Sequence, residues 1–258
     1  MKVHHLFENA AIKIDAEKVA DFLFNSNPDF FRKYNFKKRP LYRGVQRPLT
    51  KSVVFTADET TGTGVVVQST TKRNRTPLNM PTKLHDAYND EFERRFGIRA
   101  RSDTIFCSSQ SVAENYGTPC LIVPVSDFSM LASEVIKDLW DETSYNDRKH
   151  LPRLAKIDSG TDKKLRALFK VGKDEDLESV ILQARSSKSE MEKITGLSMK
   201  EYYQELVKII VPHYTDDIDD IATFDPHGEV MLKSDECFLV PIYTPEFSQY
   251  LLEALMKK

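Results

Sequence analysis

Strand-forming and helix-forming stretches are segregated along this chain, and that limits the folds open to it more than any other feature. Apolar and β-branched runs suited to strands occur at residues 41–46, 53–56, 65–69, 103–107 and 120–123, and again at 229–232 and 238–243. Residues 127–220 carry few such runs and read as helix. Within them Leu131, Val135, Leu139 and Trp140 mark one apolar face, and Tyr202, Leu206, Ile209 and Ile210 another. Strands at both ends and helices in the middle predict an α+β core interrupted by a helical insertion of roughly ninety residues, far longer than an ordinary connection. The expected division has three parts. Residues 1–126 hold an N-terminal helix and the first part of the core, 127–222 form the helical insertion, and 223–258 supply the final strands and a C-terminal helix.

Local signals fill in the remaining elements. A helix is expected over 15–34, with Asp15 as N-cap and Val19, Phe22 and Leu23 on its apolar face. Residues 53–56 and 65–69, joined by the turn-rich 58–64, suit a hairpin. Over 82–96, Thr82 reads as a cap, Leu84, Tyr88 and Phe92 recur at i, i+4 and i+8, and Gly97 closes the helix. A short helix over 111–116, stopped by Gly117, separates the strands at 103–107 and 120–123.

Composition excludes several classes. A net charge of −2 argues against a protein that coats nucleic acid as a whole. Charged residues make up 29%, which predicts long solvated helices. Cys107, Cys120 and Cys237 are odd in number and sit in apolar contexts, so they read as reduced core thiols rather than a disulfide framework or a metal site. The N-terminus lacks the apolar run of a signal peptide, and nowhere do about 18 apolar residues follow one another. A soluble, cytoplasmic chain is the expectation. The six histidines show no metal-ligand spacing. Neither GxxxxGK[ST] nor GxGxxG is present, which counts against P-loop, kinase and Rossmann chemistry. The acidic run at 216–220 lacks the glycine and distal glutamate of a calcium loop and reads as a solvated linker.

Three short stretches carry the chemistry. Arg43, between Tyr42 and Gly44, reads either as a solvated strand residue or as a planar fork aimed at a diphosphate. Gly44 beside it suits close approach of backbone to a flat ligand. In Phe106-Cys107-Ser108-Ser109-Gln110 a strand runs out into polar residues. Capping of the next helix accounts for one serine and leaves the other hydroxyl to bond elsewhere. Tyr116 reads either as a core tyrosine or as a stacking face. Glu229 opens an apolar strand and is either a solvated strand end or a carboxylate held where an oxocarbenium-like sugar develops. His227 reads as a general base, a target-contacting group or a loop histidine. A basic set, from Arg32 through Arg39 to Lys51 with 72–75 and Arg94, Arg95, Arg99 and Arg101, reads as solvated surface or as a phosphate-binding face.

With these residues in order, the chain resembles the ADP-ribosyltransferase superfamily in its Arg-Ser-Glu branch. Tyr42-Arg43-Gly44 looks like the first-strand motif. Phe106-Cys107-Ser108-Ser109-Gln110 is similar to Phe-x-Ser-Thr-Ser, with Gln110 in place of the third serine. Ala113-Glu114-Asn115-Tyr116-Gly117 resembles the Ala-x-x-Tyr-Gly helix end. His227-Gly228-Glu229-Val230-Met231-Leu232 looks like the strand that begins with the catalytic glutamate. The likeness covers roughly 40–125 and 224–244 and leaves out the helical middle and the first thirty residues.

The resemblance implies a split β-sheet core with a largely helical insertion, and NAD as substrate with no metal. It implies catalytic roles for Glu229, Arg43 and Ser108. Arg43, Gly44, Phe106, Ser108, Ser109 and Tyr116 would bind NAD, and His227 would contact the acceptor. His227 stands where arginine-modifying members have Glu or Gln, so protein-arginine modification does not carry over. The implied activity is mono-ADP-ribosyl transfer to a macromolecular acceptor, protein or nucleic acid, with no membrane partner. The alternatives are an NAD glycohydrolase and a binding module of the same fold without turnover. An RNA 2′-phosphotransferase shares the fold but ordinarily has basic residues in place of Glu229.

Overall fold

The computed structural model describes residues 3–36, 38–46, 53–58, 63–69, 80–125, 127–139, 150–225 and 227–258. In chain order the elements are α1 (Val3–Ser26), α2 (Pro28–Lys33), β1 (Tyr42–Val45), β2 (Val53–Asp58), β3 (Thr63–Ser69), α3 (Thr82–Phe96), α4 (Ala100–Asp103), β4 (Ile105–Cys107) and α5 (Gln110–Glu114). There follow β5 (Thr118–Pro124), β6 (Ser129–Ala132), α6 (His150–Ile157), α7 (Ser159–Phe169), α8 (Leu177–Ala184), α9 (Lys188–Thr195) and α10 (Met199–Ile210). After a 3-10 turn at Val211–His213 come α11 (Ile218–Ile221), β7 (Val230–Lys233), β8 (Glu236–Pro241) and α12 (Pro245–Leu255). The protein is α+β, with two antiparallel sheets in the orders β1-β5-β8-β3-β2 and β4-β7-β6.

The chain forms two compact units. One consists of residues 1–73, 104–132 and 216–258, and the other of 74–103 and 133–215. The boundaries therefore fall at 132/133 and 215/216, beside the expected 126/127 and 222/223. The 82–96 segment belongs with the helical unit.

Both sheets lie in the first unit. Leu121, Ile122 and Val123 of β5 and Leu239 and Val240 of β8 are fully buried, as suits the two central strands of an antiparallel sheet covered by helices. α1 lies against β2 and β3, α12 packs on α1, and Phe22 meets the Phe238 ring edge-on at 5.3 Å. The strand β6 is a correction. Met130, Leu131 and Ala132 pair with β7 in the register Met130↔Leu232, Leu131↔Met231, so this stretch is strand and not the start of a helix. A short apolar run reads alike in either form, and its partner lies about a hundred residues away, beyond the reach of local pattern.

The N-terminal helix also differs from expectation. It runs from Val3 rather than Asp15, and Asp15 is a buried residue in its middle. Its true punctuation is Asn27-Pro28. The Asn27 side chain accepts the Phe30 N–H at 3.1 Å and donates to the Pro124 carbonyl at 2.7 Å, while Pro28 opens α2.

The described helices of the second unit run from 4 residues in α4 to 15 in α3. Each of several starts on a capping side chain: Asp158 for α7, Asp176 for α8, Ser187 for α9 and Ser198, in a capping box with Glu201, for α10. Gly97 and Gly196 close α3 and α9 in the left-handed conformation. Leu84, Tyr88 and Phe92 of α3 are buried, as are Tyr202, Leu206, Ile209 and Ile210 of α10, and the two helices pack together. Thr82 lies inside α3 and not at its cap, which is Pro81. The other expected face dissolves, since Leu131 is in β6 and Trp140 lies outside the described residues. The hairpin turn at 59–62 and much of the basic set (Lys37, Arg47, Lys51 and 72–75) lie outside them too. Among the described residues no helix is long and apolar enough to cross a membrane.

Candidate functional site

The site is assembled where the two sheets of the first unit meet. β4 and β7 are paired in the register Phe106↔Met231, Cys107↔Val230. Ser108 directly follows β4 and Glu229 directly precedes β7. Ser108 is also bridged to β1: the Tyr42 N–H donates to its carbonyl at 2.9 Å, and its own N–H donates to the Tyr42 carbonyl at 2.8 Å. Arg43 follows Tyr42 and stands opposite Cys120 of β5. Arg43 thus follows the residue bridged to Ser108, and Ser108 and Glu229 stand at the ends of the paired strands β4 and β7. All three are partly buried, and Nη1 of Arg43 is itself buried.

The two serines divide their work. Ser109 caps α5, its hydroxyl accepting the Val112 N–H at 3.4 Å, and the same oxygen lies 3.0 Å from His227 Nδ1 and 3.1 Å from Ser111 Oγ. The Ser108 hydroxyl donates to the His227 carbonyl at 3.0 Å and lies 3.5 Å from that of Gly228. It therefore ties the end of β4 to the two residues that precede Glu229. Gln110 is held by the hydroxyl of Ser248 on α12, which donates to its side-chain oxygen at 3.2 Å.

Gly44 plays a different part from the one its residue type suggests. A Cβ there would stand 2.2 Å from the Ala113 carbonyl oxygen and 2.7 Å from Tyr116 Cβ, so the end of α5 fills that side. The glycine is needed for strand and helix to meet, and a ligand does not approach from that side. Its peptide groups face another way. Antiparallel alternation turns Leu41 and Arg43 toward β5 and Tyr42 and Gly44 toward β4, and β4 ends level with Tyr42. The Gly44 N–H and C=O are directed off the sheet beside Ser108.

Tyr116 is 58% exposed, so the core-tyrosine reading is set aside. Its Cβ touches the Gly44 position while its ring is open to solvent. Phe106 is partly buried in mid-β4, between the buried Ile105 and Cys107. His227 is exposed, and its backbone N–H is held by the Asp225 carboxylate at 2.9 Å.

The electrostatics follow from burial. Desolvation pushes the Cys120 thiol up to about 12 and raises that of Cys237 also, and the nearby positive charge of Arg43 opposes both shifts without reversing them. All three cysteines are buried and unbridged, so they are inert thiols beneath the site.

Arg39 escaped the sequence reading, where it belonged to a basic run. It is 1% exposed and donates to the Ile221 carbonyl at 3.1 Å and to the Gly228 carbonyl at 2.7 Å. The Tyr34 hydroxyl donates to the Arg39 carbonyl at 2.8 Å, and burial holds the guanidinium below its ordinary range and the phenol above its own. A signal was present in the aromatic density just upstream, Phe30, Phe31, Tyr34 and Phe36, which makes this stretch core. The basic set is thus no uniform face: Arg39 is buried, and Arg94 is paired with Glu91, Nε to Oε2 at 2.8 Å. The acidic 216–220 run is also structured, with Asp217 capping α11.

No family model, no curated protein and no solved structure matches this chain.

Proposed function

We propose that this chain is an NAD-cleaving mono-ADP-ribosyltransferase with a split-sheet core of that superfamily's kind. The observation that carries the reading is the double engagement of Ser108. Its backbone bonds to the residue before Arg43, and its hydroxyl bonds to the residues before Glu229. In this reading the three residue types suited to diphosphate binding, sugar binding and cation stabilisation work together from β1 and from the ends of β4 and β7.

In this reading Arg43 holds the NAD diphosphate as a fork, and the Gly44 peptide groups meet the nicotinamide amide. Tyr116 or Phe106 offers the ring an aromatic face. Glu229 bonds the ribose 2′-hydroxyl and stabilises positive charge as the C1′–N bond breaks and its electron pair leaves with nicotinamide. The acceptor then forms the new bond to C1′ and loses its proton, with His227 the residue assigned to contact it. A macromolecular nucleophile makes the enzyme a transferase, and water makes it a glycohydrolase.

The test is incubation with adenylate-labelled NAD and a cell lysate, following nicotinamide release and the fate of the label. Label in protein or nucleic acid supports transfer, and free ADP-ribose supports hydrolysis. Glu229→Gln should lower nicotinamide release by about a hundredfold or more while leaving NAD affinity within a few-fold, because its main interaction strengthens in the transition state. Absence of both release and transfer, or full activity in Glu229→Gln, overturns the proposal.

A further inference from the structure

We propose that Arg39 is a positioning residue for Glu229, acting as a buried fork that holds both ends of the 221–228 segment. The inference rests on the functional reading above and extends it beneath the site.

Its two terminal nitrogens reach different backbone carbonyls, that of Ile221 at the end of α11 and that of Gly228 immediately before Glu229. Gly228 O belongs to the planar peptide whose nitrogen is that of Glu229. Orienting this carbonyl therefore orients the first bond of the glutamate backbone. The same carbonyl is approached from the strand side by Ser108 Oγ, so the peptide is held from two directions. A planar fork spans two carbonyls in a way that a single ammonium does not.

Stability alone is a poor account of this residue. The guanidinium is removed from water, and its Nε–H is buried with no hydrogen-bond partner among the described residues. The negative charge acting on it includes that of Asp225, on the very segment it holds, and Asp225 also accepts the His227 N–H. Apolar groups of similar volume commonly replace buried ionic groups without loss of stability. A cation kept here at that cost, bonded to the peptide before Glu229, points to placement of the carboxylate.

The test compares Arg39→Lys and Arg39→Met with the unaltered chain, with Arg32→Ala as a surface control. Two readouts are taken: steady-state nicotinamide release, and amide hydrogen exchange over 222–229. Both Arg39 variants should lose tenfold to a hundredfold in kcat, on the order expected for a misplaced catalytic group, with KM for NAD within about threefold. Exchange over 222–229 should quicken, and in a third variant, Arg39→Ala, added methylguanidinium should restore part of the lost kcat. Should these variants fail to fold, Tyr34→Phe removes the bond to the Arg39 carbonyl and should show a smaller fall in kcat, again without a change in KM. Unchanged kcat in a folded variant, or a rise in KM alone, overturns the inference. If the unaltered chain releases no nicotinamide, the functional proposal fails by itself. Exchange over 222–229 then decides whether Arg39 holds the segment, and unchanged protection sinks that as well.

Discussion

The hydroxyl of Ser108 donates to the carbonyl oxygen of His227 at 3.0 Å, across the junction of β4 with the segment leading into β7. That bond fastens the end of one strand to the approach of the other, two residues before Glu229. Ser109, its immediate neighbour, instead caps α5. Ser108→Ala and Ser109→Ala should therefore separate. Each should cost about 1 kcal/mol of stability, one as a lost hydrogen bond and the other as a lost cap. Ser108→Ala should in addition lower nicotinamide release by roughly tenfold, because it loosens the support of Glu229. Denaturant titration alongside steady-state kinetics checks this, and equal kinetic effects would count against the division.

Gly44→Ala tests the contact between β1 and α5. The added methyl meets the Ala113 carbonyl at 2.2 Å, a backbone atom that moves only with its helix. A loss of about 1–3 kcal/mol is expected from overpacking, together with weaker NAD binding as the Arg43 strand shifts. Chemical denaturation and equilibrium dialysis report the two effects.

Tyr116→Ala should behave in the opposite way. The ring is exposed, so stability should stay within about 0.5 kcal/mol. Loss of an aromatic face should weaken NAD binding by roughly three- to tenfold. A melting temperature that falls sharply with affinity unchanged would make the tyrosine structural.

The helical unit carries its own pH dependence. His213 Nε2 lies 3.0 Å from Thr161 Oγ1, whose proton goes to Asp158 at 2.6 Å, so the imidazole is the donor to Thr161. Burial lowers the His213 pKa below 6.5, and Lys164 adds to the shift while Asp158 opposes it. The folded state then binds a proton less readily than the unfolded chain. Stability from this residue is present above about pH 6.5 and is lost as pH falls below it. Unfolding measured from pH 7.5 to 5.5 should show that decline, and His213→Gln should flatten it.

Much of the local structure was legible in the sequence. Leu84, Tyr88 and Phe92 announce α3 by their spacing, and the expected C-terminal helix is α12. Such signals reach only a few residues, which is also where they failed. Asp15 reads as a cap but lies inside a helix, since a capping residue type says nothing of whether the turn before it is already helical. Residues 129–132 read as helix because nothing local reveals β7 as their partner.

For the site, sequence alone determined the kinds of residue present: an arginine beside a glycine, paired serines after an aromatic, and a glutamate opening an apolar strand. Their meeting was decided by the tertiary structure. The registers Cys107↔Val230 and Tyr42↔Ser108 assign one serine to the helix and the other to the glutamate segment, and they turn Gly44 into a seat for α5. The same holds for Arg39, a charged residue in a basic run until burial, the Tyr34 hydroxyl and the carbonyls of Ile221 and Gly228 fix it. Caps and periodicity act over a few neighbouring residues. Strand register and the burial of a charge depend on backbone groups that only folding brings together.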